Sequence, residues 1–150
     1  MIQPLEGIRV LELATDVAGP FVGKLLADFG AEVVKVEPPG GDPSRQHGPF
    51  PGDVPHREQS ALFLHLNTNK RSIVLDLERG GAELDVVRGL IAESDVVIES
   101  FAPGYLDEMG LGYEAMRQLN PGIVLTSVTP FGQDGPYSGM VGADIVTYAM

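Results

Sequence analysis

Five short runs rich in β-branched and other apolar residues, at 8–13, 33–36, 73–77, 96–98 and 123–128, are separated by segments of helical period or by glycine- and proline-rich turns. This alternation leaves few folds open. A strand followed by a helix and then another strand pairs side by side in the same direction, because the helix returns the chain to its starting edge. The pattern predicts an α/β fold: a Rossmann-like open, mostly parallel sheet with helices on both faces. Ligands of such sheets sit outside the carboxyl ends of the strands. The loops at 14–20, 38–58, 99–105 and 129–138 are therefore expected to crowd one functional edge.

The connecting segments carry their own signals. Phe21, Val22, Leu25, Leu26 and Phe29 recur at helical spacing, with Pro20 suited to a first helical turn and Gly30 to a stop. Leu84, Val87, Leu90 and Ile91 share one face of a helix over 83–93. Shorter helices are expected at 105–109 and 113–119, while 61–66 reads as a short helix or an extended segment. Between 38 and 58, prolines at 38, 39, 43, 49, 51 and 55 leave little scope for regular hydrogen bonding. That stretch is a long ordered loop or a mobile lid. A last helix is expected to open near Asp144.

At 150 residues the chain can bury a single core. The formal charge of −11 would repel nucleic acid and anionic membrane surfaces, so neither is an expected partner. No basic segment precedes an apolar leader, and no apolar run reaches the roughly 18 residues of a membrane span. The absence of cysteine excludes thiolate chemistry and disulfides and is compatible with a reducing, cytoplasmic location.

Few residues are marked for chemistry by pattern alone. Neither a Gly-x-Gly-x-x-Gly turn nor a Walker A sequence is present. Gly19-Pro20 either presents backbone N–H groups to an anion or simply makes a turn. Asp16, just past a strand end, is a nucleophile, a base or a binding group, or else a helix cap or solvated loop residue, its commoner use. Asp144 invites the same readings, with capping preferred. His47, His56 and His65 lack metal-ligand spacing, so no metal site is expected. Lys70 and Arg71 suit phosphate or carboxylate binding, though adjacent cations on a turn are more often solvated. Phe101, Tyr105, Met109, Phe131 and Tyr137 offer an apolar wall for a ligand or, singly, core packing.

Longer stretches carry more. Gly7-Ile8-Arg9-Val10-Leu11-Glu12-Leu13, Ala18-Gly19-Pro20 and Leu25-Leu26-Ala27-Asp28-Phe29-Gly30-Ala31-Glu32-Val33-Val34-Lys35-Val36-Glu37 are followed in order by Gly41-Asp42-Pro43, Asn69-Lys70-Arg71-Ser72 and Leu75-Asp76-Leu77. Asp95-Val96-Val97-Ile98-Glu99, Pro103-Gly104, Met109-Gly110-Leu111, Asn120-Pro121 and Phe131-Gly132-Gln133-Asp134-Gly135-Pro136-Tyr137 complete the set. Together these resemble the amino-terminal part of the family III CoA transferases, the CaiB/BaiF family.

The resemblance implies that residues 1–150 are the amino-terminal part of a CoA-binding large domain, with the small domain and the carboxyl-terminal part absent from this chain. It implies a coenzyme A thioester as substrate with no permanently bound cofactor, a carboxylic acid acceptor, and an interlocked homodimer. It also implies an aspartate nucleophile that forms an aspartyl-CoA intermediate and is expected beyond residue 150, so no catalytic residue is assigned here. By similarity, Asp16, Val17 and Ala18 would line the thioester arm and Leu75 the adenosine end. Ser100, Phe101, Tyr105 and Met109 would border pantetheine and nucleotide, with Lys70 and Arg71 as candidate phosphate ligands.

The chain departs from the family at Ser100 and Ala102, where members commonly carry Asn and Arg, at Pro38, where a basic residue often stands, and at Glu108, where one sometimes does. Ala143 replaces the acid/base histidine of the family's racemases and disfavours racemisation. Two other readings stay open beside the transferase: a non-catalytic binding or interaction module on the same fold, and a racemase-like enzyme with an altered base. Exposed apolar surface is expected, and with it oligomerisation or poor solubility at low salt.

Overall fold

The computed structural model describes residues 3–143, 146 and 149. Strands β1 (Arg9–Leu13), β2 (Glu32–Glu37), β3 (Arg71–Val74), β4 (Val96–Glu99) and β5 (Val124–Ser127) form one sheet in the order β3-β2-β1-β4-β5, and every pairing is parallel. The helices are α1 (Ala18–Asp28), α2 (Ala61–Leu66), α3 (Ala82–Glu93), α4 (Tyr105–Glu108) and α5 (Tyr113–Leu119).

Period-two alternation along β1 separates the two faces. Leu11 and Leu13 join Val87 and Ile91 of α3 and Met116 of α5 in one apolar cluster, while Val10 and Ala14 join Ala27 of α1 in another. Both faces are covered, as an all-parallel sheet requires. Helix α1 approaches β1 very closely. A Cβ added at Gly19 would lie 2.2 Å from Ala14 Cβ, and one at Gly23 would lie 1.9 Å from Glu12 Oε2. Glycine four residues apart on one helical face is what permits that contact.

The expected elements are present with shifted ends. The third strand stops at Val74 instead of 77, because the Asp76 carboxylate accepts the Arg79 N–H at 3.3 Å and turns Leu77–Arg79 into a 3-10 helix. Residues 61–66 are helical, with Ser60 Oγ accepting the Phe63 N–H at 3.1 Å as an N-terminal cap. The proline-rich stretch contains 3-10 turns at Pro43–Gln46 and Pro51–Asp53, and Ser60 Oγ donates to the Ser44 carbonyl at 2.8 Å across it. The helix expected from Asp144 falls largely outside the described residues, as does Asp144 itself. No helix among the described residues is long and apolar enough to cross a membrane.

Candidate ligand cleft at the carboxyl edge of the sheet

The carboxyl ends of β1, β2, β3 and β4 open onto one cleft of about 360 Å³. Leu13 and Thr15 line it after β1, Val36, Pro38 and Pro39 along and after β2, Leu75 to Glu78 after β3, and Phe101 with Tyr105 after β4. Its walls are mostly apolar. The Phe101 and Tyr105 rings stack with centroids 4.8 Å apart, a flat surface suited to a base or a thioester arm. Burial pushes the Tyr105 phenol pKa upward, and the nearby charges of Glu78 and Asp76 push it further. The phenol therefore stays protonated and can donate a hydrogen bond.

The structure brings Leu75, Phe101 and Tyr105 together on this cleft. Asp16, Val17 and Ala18 follow Thr15 in the chain and are exposed, and they do not themselves line the cleft. Asp16 does not cap α1, whose N-cap is Val17; its backbone has φ of 63°, and its N–H donates to Asp42 Oδ1 at 3.3 Å. Ser100 Oγ accepts the Thr15 N–H at 3.0 Å, so this residue holds the loop after β1. Met109 packs, half-buried, against the core cluster of α3 and α5.

The two candidate cations lie elsewhere. Lys70 Nζ donates to the Pro20 carbonyl at 2.7 Å and to Asn67 Oδ1 at 2.9 Å, and stands 2.8 Å from Glu12 Oε2. With its side chain 2% exposed and its ammonium among these three oxygens, Lys70 does not line the cleft. Arg71 is the first residue of β3 and pairs at 3.1 Å with Glu32, the first of β2, which puts it at the amino edge, across the sheet from the cleft. The entry into β3 buries Lys70 and leaves Arg71 exposed at the amino rim, so the two neighbours lie in different surroundings.

Reading the sequence missed the charges that organise the site. Lys35 Nζ donates to Glu12 Oε1 at 2.9 Å and to the Ala14 carbonyl at 2.7 Å, and lies 2.8 Å from Asp42 Oδ2. Glu12 thus bridges Lys35 and Lys70, and all four side chains are buried. Beside them Arg45 binds Glu37 with two N–H groups, at 2.6 and 2.8 Å, while Ser72 Oγ and the Asp42 N–H also donate to Glu37. Burial pushes the Glu37 carboxyl up, but Arg45, Ser72 and the Asp42 amide outweigh it and hold the pKa at about 2. Burial likewise pushes the Lys70 ammonium down, against the upward pull of Glu12. A signal was available: Glu12 and Lys35 sit inside strands whose parallel neighbours bury both faces, where opposite charges must find each other. Among the described residues no group of three or more His, Asp or Glu side chains is arranged to hold a metal ion.

The sequence model of one family, described as CoA-transferase family III, matches residues 5–150. The succinyl-CoA–D-citramalate CoA-transferase of Chloroflexus aurantiacus is 45% identical over 149 residues, which are 99% of this chain and 36% of that protein. Human succinyl-CoA:glutarate CoA-transferase is 42% identical, with 99% of this chain and 33% of that protein aligned. The crystal structure of a CAIB/BAIF family protein from Brucella suis superposes with a TM-score of 0.86 at 43% identity, covering 97% of this chain and 38% of that one. The chain therefore spans about a third of the length of the curated relatives it matches.

Proposed function

The chain belongs to CoA-transferase family III, and from that membership we propose that residues 1–150 form the amino-terminal part of the CoA-binding domain of an enzyme that moves coenzyme A from an acyl-CoA thioester to a carboxylic acid. The observation that carries the proposal is the coincidence of the family match over residues 5–150 with an apolar cleft at the carboxyl edge of a parallel sheet. In this reading the Phe101–Tyr105 stack and Leu75 take the nucleotide or pantetheine of CoA, and the loop of Asp16, Val17 and Ala18 flanks the thioester arm. Lys70, buried against Glu12, and Arg71, paired with Glu32 at the amino edge, are given no part in phosphate binding in this reading. Names of relatives that pair succinyl-CoA with an acid make succinyl-CoA the first donor to test.

Group transfer here needs an acyl acceptor on the protein. The proposed nucleophile is an aspartate carried by sequence beyond residue 150. Its carboxylate attacks the donor thioester carbonyl and expels CoA as a thiolate, giving a mixed anhydride. The thiolate then attacks the aspartyl carbonyl of that anhydride, releasing the donor acid and leaving an aspartyl-CoA thioester. The acceptor carboxylate repeats the sequence in reverse and leaves as the new acyl-CoA. No permanently bound cofactor enters these steps.

The proposal includes a cytoplasmic location and a homodimer. Support for the dimer comes from α1, where Phe21, Leu25 and Phe29 are exposed at four-residue spacing with Val17 one turn before them. The test is to incubate the polypeptide that continues past residue 150 with succinyl-CoA and search for an aspartyl-CoA adduct by peptide mass spectrometry. A mass increase on one aspartyl peptide, lost on adding an acceptor acid, is expected. Absence of any adduct with a panel of acyl-CoA donors contradicts the proposal.

A further inference from the structure

The backbone between β1 and the first turns of α1 is fastened at four points by side chains from four other segments. Lys35 of β2 holds the Ala14 carbonyl at 2.7 Å, Ser100 after β4 accepts the Thr15 N–H at 3.0 Å, Asp42 after β2 accepts the Asp16 N–H at 3.3 Å, and Lys70 before β3 holds the Pro20 carbonyl at 2.7 Å. Three of the four belong to one connected set of buried charges: Glu12 joins Lys35 to Lys70, and Lys35 joins Asp42. Such a set gains little net stability over well-packed apolar residues, because desolvating each charge offsets most of the attraction. What it supplies here is position.

We propose that the buried charge set is a positioning device for the loop of Asp16, Val17 and Ala18, and that Asp42 is the member acting on Asp16. The carboxylate of Asp42 divides its work. One oxygen faces Lys35, while the other accepts from the Asp16 N–H, the Ser44 N–H at 2.8 Å and Ser44 Oγ at 2.6 Å. The same residue therefore fixes the loop after β1 and the start of the proline-rich stretch after β2, the two segments that meet at the cleft through Thr15, Pro38 and Pro39. Asp16 sits at φ of 63°, a left-handed conformation that an L-residue adopts at some cost, and the Asp42 bond retains it. Asp42 is buried and does not line the cleft, so in this proposal it acts through the loop.

The inference rests on the reading of that loop as part of the CoA site, and its test separates the two. In the polypeptide that carries this chain, Asp42→Ala removes both functions, Asp42→Asn keeps an oxygen for the Asp16 N–H while turning an NH2 toward Lys35 at a cost in global stability, so exchange is read relative to core amides, and Ser44→Ala removes a hydroxyl bond without touching Asp16. Amide hydrogen exchange at Asp16 needs no ligand. We expect it to rise about tenfold in Asp42→Ala, the worth of one lost hydrogen bond, and to stay near the parent value in Asp42→Asn and Ser44→Ala. With succinyl-CoA, KM is expected to rise about tenfold in Asp42→Ala with kcat within about twofold. Unchanged exchange at Asp16 in Asp42→Ala overturns the inference, as does equal loosening in Ser44→Ala. If the exchange pattern holds while no variant or parent binds CoA, the positioning role stands and the functional reading fails. If Asp42→Ala does not fold, the Asn and Ser44→Ala pair decides: selective exchange at Asp16 in Asp42→Asn, or loosening in Ser44→Ala, contradicts the assignment of its oxygens.

Discussion

The ammonium nitrogen of Lys70 lies 2.8 Å from Oε2 of Glu12, with neither side chain more than 2% exposed. A cation so placed belongs to the packing of α1 on β1.

Removing one member of this pair should leave a buried charge uncompensated. Lys70→Met is expected to cost about 3–5 kcal/mol in denaturant unfolding. Arg71→Ala, which breaks only an exposed pair with Glu32, should change stability by about 0.5 kcal/mol or less. It should leave CoA affinity unaltered as well. Similar losses from the two substitutions would contradict the placement of these neighbours at opposite depths.

Gly23 is open to a sharper steric test. Gly23→Ala places a methyl carbon 1.9 Å from Glu12 Oε2, a carboxylate that cannot retreat without releasing Lys35 or Lys70. The helix-favouring effect of alanine, up to about 1 kcal/mol, should therefore be reversed into a net loss of about 1–3 kcal/mol. Gly89→Ala on α3, where nothing lies within 4 Å of the added carbon, is the matched control and should stabilise. Thermal melts of the two variants decide the point.

Acid stability should report Glu37. Its carboxyl is held at about 2 in the folded chain against an ordinary value of 4.5, so the folded state binds the proton later than the unfolded one. The contribution, about 3 kcal/mol, is fully present above pH 4.5 and is lost as pH falls from 4.5 towards 2. Glu37→Gln should flatten the dependence of unfolding free energy on pH in that window. An unchanged slope there would remove Glu37 from the account.

Glu78 and Asp76 place negative charge beside a cleft proposed to hold a polyanion. Glu78→Gln should tighten CoA binding about twofold to fivefold at low ionic strength, with the gain fading as salt is raised. Calorimetric titrations at two salt concentrations measure it; weaker binding would show that the carboxylate contacts the ligand instead of repelling it.

Most of the fold was legible because strand and helix periods in this chain are local signals. β1, β2, β4 and β5 begin and end within a residue of their apolar runs. The error at β3 arose from a cap: Asp76 ends the strand early, although Leu75 and Leu77 continue its apolar composition. The lining of the cleft was legible in part. Phe101, Tyr105 and Leu75 converge as expected, since each lies just past a strand end. The burial of Lys70 was not legible, because burial of a charge depends on where its partner falls, and Glu12 is contributed by a strand two places away in the sheet. Asp42 and Arg45 sit in a proline-rich loop whose composition says nothing of side-chain direction, and only the folded chain shows them turned inward onto Lys35 and Glu37.

The most direct test of the account is where coenzyme A touches this chain. Backbone amide resonances followed during titration with CoA should shift at Thr15 to Ala18, Leu75 to Leu77 and Phe101 to Tyr105, the loops around the cleft. Shifts centred instead on Arg9, Glu32, Arg71 and Glu93, at the amino edge of the sheet, would contradict it, as would no shift at saturating ligand.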